Sequence, residues 1–333
     1  LGSVLRALFA WAALALVAGT LTVFFAAQAA GAAVATLFAR RNALRMLPES
    51  RAARASMRAL RVEQRYLLGV VALSLSTVGL TQLDKLLLSV LVPLADYSAY
   101  MVAATAASAL LLLAGPIFGS VFPQLAAARD DRSAEREIYL RAASYAAVLV
   151  WPAATSGIAF AEPLLALWLH DAGLAAQATP AFRLLLLGFA LNISCVVPHA
   201  LAMAKGRTLP ATVSNAVASL LAVPSLILLA PTRGPVVAAW WWLAVTSWLA
   251  FGFVPVLHRL LRVPWTLAWC TRALLRPILL CGLVAVGTAS PPMSSLPEVP
   301  RAVVSLLVGA ALLLAADART LRGSAARRQA RVS

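Results

Sequence analysis

Apolar stretches alternate along this chain with short, arginine-rich breaks. Ten apolar segments can be read, at about 4–18, 20–40, 66–92, 98–123, 139–160, 181–203, 209–230, 235–257, 273–288 and 301–316. A helix needs roughly 20 apolar residues to cross ~30 Å of hydrocarbon. Most segments reach that length; the first and the last two are shorter. The ~10-residue dyad alternation of a membrane barrel is absent. In lipid the backbone must then satisfy its own hydrogen bonds within helices. The expected fold is all-α, a polytopic membrane bundle of about ten transmembrane helices.

The breaks carry a second pattern. Basic clusters fill 40–65, 129–141, 205–207, 259–276 and the tail from Arg319, and together they hold most of the 28 Lys and Arg residues. In a ten-span arrangement all five clusters fall on one side. The opposite loops hold little more than Arg233 and Arg301. Cytoplasmic loops carry that excess. The expected location is the inner (cytoplasmic) membrane, with the N-terminus of this chain and its C-terminus both cytoplasmic.

Composition agrees: 62% of residues are hydrophobic, 12% are charged, and mean hydropathy is +0.87. Soluble domains average about 25% charged residues. The net charge of +16 would suit nucleic acid in another setting. Here the basic residues sit in short loops without interleaved aromatics, where they meet anionic lipid headgroups. No nucleic-acid partner is expected. The three cysteines, Cys195, Cys270 and Cys281, form no CxxC and pair with no histidine at metal spacing. Neither a disulfide framework nor a metal site follows. The chain opens at Leu1 almost directly in a short apolar segment, with no cleavable signal ahead of it, as a truncated chain would.

The longest interruption, 41–65, contains Pro48, Glu49, Ser50 and then RAARASMRAL. That stretch suits a basic amphipathic helix on the inner leaflet and marks a lobe boundary. The longest outer loop is expected at 161–180, with Glu162, Trp168, His170 and Asp171. Trp151, Trp168, Trp240, Trp241, Trp242 and Trp265 fall where spans should meet headgroups and read mostly as interface anchors.

Asp84 and Lys85 are the charges that matter most. By helical rise Asp84 lies about 12 Å inside the end of its span near Val92. Charges at such depth face a bundle interior or a wet cavity. Gln82 adds polarity on the same turn. The alternatives are a cavity-lining site for an anionic or cation-coupled substrate and a structural bond between packed spans. Adjacent residues on a helix lie about 100° apart, so Asp84 and Lys85 cannot share one face. Gly115, Pro116 and Pro123 are expected to break or kink the next span, a feature of transporters but also simply tolerated. Arg183 could meet phosphate or snorkel. Asn192 and His199 add polarity to the sixth span, and His199 is either a titrating group or an interface residue. Asn215 reads as glue between helices. No GxSxG, Walker-type loop, HExxH or large acidic loop is present, and no ATP site.

The stretch TQLDKLLLSVLVPLADYSAYMVAATAASALLLLAGPIFGSVFPQLAAAR, from Thr81 to Arg129, resembles the polysaccharide flippases of the MOP exporter superfamily, which handle O-antigen and lipopolysaccharide repeat units. The resemblance rests on the T-Q-L-D-K run, on an acidic-aromatic turn with Asp96, Tyr97 and Tyr100, and on the Gly115-Pro116-Ile117-Phe118 and Phe122-Pro123 pattern. AEPLLALWL at 161–169 is similar to the family's outer turn, and a weaker likeness continues to about Leu261. It implies a MATE-like two-lobe architecture with an incomplete first lobe. Residues 1–41 would be its last two helices, 42–65 a cytoplasmic linker, 66–258 the second six-helix lobe, 259–316 two additional helices and 317–333 a basic tail. It also implies a polyprenyl-diphosphate-linked oligosaccharide as cargo, moved by alternating access and coupled to H+ or Na+, with no other cofactor. Lys85 and Arg183 would then be cationic candidates for the diphosphate, and Asp84 a coupling residue or the partner of Lys85. Membrane lipids and polysaccharide-assembly proteins are the remaining expected partners. The competing readings are a multidrug exporter of the same superfamily, a membrane-embedded polysaccharide polymerase or ligase, and an inactive fragment.

Overall fold

A computed structural model describes Trp11, residues 20–46, 57–290 and 296–332. Among the described residues the regular structure is helical throughout. Nine helices are long and apolar enough to cross a membrane, and they match the expected segments from 20–40 onward. The segment 4–18 lies outside the described residues. The chain divides into two compact units that part between Gln64 and Arg65.

The first unit contains α1 (Leu21–Met46). Helix α2 spans Met57–Leu91. The surface helix expected within 41–65 is therefore corrected in part. Residues 57–65 are the opening turns of a 35-residue helix, because MRALRVEQR holds no helix breaker and runs straight into the apolar span. Residues 47–56 lie outside the described residues.

In the second unit Pro93 fixes the entry to α3 (Leu94–Ser108), and Asp96 stands in its first turn. A carboxylate there complements the helix dipole. The expected acidic-aromatic turn is thus helix, since Asp96, Tyr97 and Tyr100 all lie in α3. A 3₁₀ stretch, Ala109–Leu113, leads into α4 (Ala114–Ala127). Pro116 has no N–H, so it falls in the first turn of α4, where none is needed. The irregularity precedes Gly115-Pro116 rather than following it. Pro123 sits within α4 without ending it.

Asp131 caps α5 (Arg132–Ala159) by accepting from the Ser133 and Ala134 amides at 2.8 and 3.1 Å. The expected outer loop at 161–180 is instead mostly helical. Glu162-Pro163 opens α6 (Ala161–Leu169), His170 takes the left-handed backbone that ends it, and Asp171 caps α7 (Ala172–Ser194) through the Leu174 amide. Those four residues are stop and start signals placed back to back.

Helix α7 is the centre of this unit. It packs against α3, α5, α6 and α10 (Val236–Ser247), and most of its length is buried. Small residues allow that closeness: Ala175, Ala178, Ala181 and Ala190 are buried along it. A Cβ on Gly188 would stand 2.6 Å from Trp242, so the indole occupies the space that glycine leaves. Short α8 (Val196–Ala204) continues the span, and α9 (Leu209–Arg233) follows.

Among the described residues two π-helical turns occur, Trp248–Phe253 before α11 (Val254–Leu260) and Thr271–Leu275 after α12 (Thr266–Cys270). Each leads directly into a proline, Pro255 or Pro277. A proline strands the carbonyl four residues before it, and widening the turn re-satisfies neighbouring groups. For Pro277 that carbonyl is Ala273 O, and Trp151 Nε1 donates to it at 2.7 Å from α5. Trp151 is fully buried. The anchor reading is corrected for Trp151, Trp242 and Trp265, which are core residues, whereas Trp168 and Trp240 are exposed. Trp151→Phe will lower stability by roughly 2 kcal/mol, because it strands a buried carbonyl and leaves a small void. The midpoint of an SDS titration from mild detergent measures this; an unchanged midpoint would mean that Ala273 O has another donor. Helices α13 (Arg276–Ala289) and α14 (Glu298–Val332) close the unit against α5, with Arg276 paired to Asp317 at 3.2 Å.

Candidate functional site

Asp84 lies on α2 and Tyr100 on α3. Pro93 starts α3, and the Tyr100 hydroxyl donates to Asp84 Oδ2. The other oxygen, Asp84 Oδ1, is buried without a hydrogen-bond partner. Lys85 bonds elsewhere. Its Nζ donates to Gln82 Oε1 at 3.3 Å, one turn back on α2, and no ion pair joins it to Asp84. The 100° spacing between neighbours explains that separation. Two turns back on the Asp84 face, Asn215 Nδ2 donates to Thr77 Oγ1 at 3.1 Å and ties α9 to α2.

The other sequence candidates do not converge on Asp84. Arg183, on α7, donates through Nε to Ile158 O at 3.1 Å. It thereby satisfies a carbonyl at the C-terminal end of α5, where a cation is favoured. Asn192 is half-buried near the end of α7. His199 lies in α8, with its ring 6.2 Å from that of Phe253, and its Nε2 is buried without a partner. Pro116 lines a groove of about 440 Å³ between α4 and α5, together with Ser120, Gln124, Arg141 and Tyr145. Among the six polar candidates, Lys85 to Gln82 is the one side-chain bond.

A second polar centre is one the sequence reading missed. Glu135 and Tyr139 lie one turn apart on α5 and both are buried. Lys205, just past α8, brings Nζ to 2.7 Å from Glu135 Oε1. The approach is off the hydrogen-bonding direction, so the contact is an ion pair. Tyr139 Oη lies 2.8 Å from His258 Nε2, and His258 Nδ1 lies 2.9 Å from Thr266 Oγ1. Trp269 packs edge-on against the His258 ring. This chain of bonds ties α5, α11 and α12 together.

Beside it, Lys205, Arg207, Arg259, Leu260, Leu261 and Arg262 line a hollow of about 580 Å³. The turns that carry these residues are built alike. The Gly206 amide bonds Met203 O and the Arg207 amide bonds Ala202 O; the Arg262 amide bonds Arg259 O and the Val263 amide bonds His258 O. Both are Schellman ends, and the left-handed position is Gly206 in one and Arg262 in the other, with φ of 69° and 56°. A side chain there costs roughly 1–2 kcal/mol relative to glycine.

Neither the curated proteins nor the solved structures compared with this chain include a match. A family profile described as "Polysaccharide biosynthesis protein" matches residues 2–175, more than half of the chain. The described helices make it a multi-pass membrane protein, and with the family match they mark it as transporter-like. With an all-helical bundle and a polar centre set on a membrane-crossing helix, the chain belongs to the polysaccharide biosynthesis protein family.

Proposed function

We propose that this protein is a flippase that carries a polyprenyl-diphosphate-linked oligosaccharide across the inner membrane, by alternating access and at the expense of an H+ or Na+ gradient. One observation carries the reading: Asp84, well inside a span, keeps one oxygen on Tyr100 and leaves the other buried and unpartnered. A buried carboxylate oxygen without a hydrogen bond calls for an explanation. Glu135 has the Lys205 ammonium against it, whereas Asp84 has no cation within ion-pair distance among the described residues. An oxygen left bare at that depth is where a proton or a small cation gains most, since charge in a span is costly until it is neutralised. Lys85 and Gln82 lie on the same turn and add polar surface for the head group.

Asp84→Asn keeps the shape of the side chain and removes its charge. Loss of a charged hydrogen-bonding group is worth about 1.5–3 kcal/mol. Export of lipid-linked oligosaccharide should fall by roughly 10- to 100-fold, at unchanged membrane abundance. The measurement is surface polysaccharide in cells that depend on this protein for export. Export at the original rate would remove Asp84 from the mechanism.

A further inference from the structure

The geometry points to a lipid site at the basic end of the second unit: we propose that the hollow formed by Arg207, Arg259 and Arg262 holds the head of a bilayer phospholipid bearing two phosphates, with one acyl chain in the groove between α9 and α10.

Three observations carry this. The first is charge. Lys205 is neutralised by buried Glu135, whereas Arg207, Arg259 and Arg262 are exposed and none is paired with an acid among the described residues. Guanidinium groups hold phosphate in a two-pronged fashion. Basic residues at helix C-termini also answer the helix dipole. Here the backbone amides of the two turns already take up the terminal carbonyls, so the side chains are free for a ligand.

The second observation is Arg262 itself. Its twin turn uses Gly206, the residue that this backbone prefers. A non-glycine residue there gives up stability that glycine would keep, as His170 does at the end of α6, and at Arg262 it adds a guanidinium to the hollow. The third is continuity. Leu260 lines the hollow and also the end of an apolar groove of about 750 Å³. That groove runs along α9 from Leu209 to Leu221 and is floored by Trp241, Val245 and Trp248. Twelve residues of helix span about 18 Å, the reach of an acyl chain. Leu209, Val213, Val217 and Trp248 are exposed, so the groove is open along its outer side and an acyl chain can enter it. Basic pockets between transmembrane helices are a general form of site for such head groups. Several unpaired guanidiniums suit a two-phosphate head better than a single-phosphate one.

Arg262→Gly tests this cleanly, because it removes the charge while easing the backbone. The full chain would be placed in nanodiscs of phosphatidylcholine containing a few per cent of diphosphatidylglycerol, and retained lipid read by native mass spectrometry. The expected result is one diphosphatidylglycerol per chain, retained in preference to phosphatidylglycerol. In Arg262→Gly retention should fall about tenfold, a loss of one good charged contact, with no drop in thermal stability. Arg207→Ala with Arg259→Ala should lose it further. Equal retention by Arg262→Gly overturns the proposal. Displacement by inorganic phosphate alone overturns the part played by the groove. Displacement by an equimolar polyprenyl diphosphate overturns the resident phospholipid and makes the hollow an entry point for cargo. Because the readout is bound lipid, it is independent of whether Asp84 drives export.

Discussion

Lys205→Met will destabilise the protein by roughly 3 kcal/mol. Glu135 is 1% exposed, and the Lys205 nitrogen 2.7 Å away is its ion-pair partner. Removing one member of a buried pair costs about 3–5 kcal/mol, because the remaining charge is left uncompensated. The lower end applies here, since the Lys205 side chain keeps 23% of its exposure and water reaches the site. Glu135→Gln in the same chain should restore most of the loss, because a neutral amide has far less to lose in the interior. The checks are SDS-titration midpoints of the single and double variants. If Lys205→Met alone leaves the midpoint unchanged, Glu135 has another partner. If the double variant is as weak as the single, the lysine acts through its aliphatic stem instead.

The hydropathy pattern carried the helices because length and apolarity are local properties. It draws the nine described spans to within nine residues at each end, and to within four at the junctions around Pro93 and Gly206. It misses 161–180 because helix starts and stops there are polar, and a polar stretch reads as loop. Asp84 was legible for the same local reason, as a charge deep in an apolar run. Its partner was not, because Tyr100 meets it only when α2 and α3 fold back across Pro93. Tyr139 and His258 are farther apart still, and each looks ordinary by itself. Glu135 and Tyr139 at i and i+4 on one face of α5 were the available hint. Tryptophans were the hardest to place: Trp151 and Trp240 have the same hydropathy, yet one is in the core and the other exposed. What separates them is the carbonyl that Pro277 strands beside Trp151, a feature of another helix.

His258→Leu will cost more than any single loss of packing nearby, roughly 3–5 kcal/mol. The side chain is fully buried and holds two hydroxyls at once, Tyr139 Oη at 2.8 Å and Thr266 Oγ1 at 2.9 Å. Leucine fills most of the volume but serves neither. Each buried hydroxyl left unpaired costs about 1–3 kcal/mol, and the edge-on contacts with Tyr139 and Trp269 are lost as well. Thr266 opens α12, so it has a route to satisfy itself locally. Tyr139, buried in the middle of the contact, does not. Tyr139→Phe should therefore rescue His258→Leu in part, with a coupling of at least 1 kcal/mol in the double-mutant cycle. Additive losses would mean that the two side chains do not share a bond. The double variant also separates stability from export: Asp84 and its span are untouched, so total export should return with the midpoint while export per folded molecule stays constant.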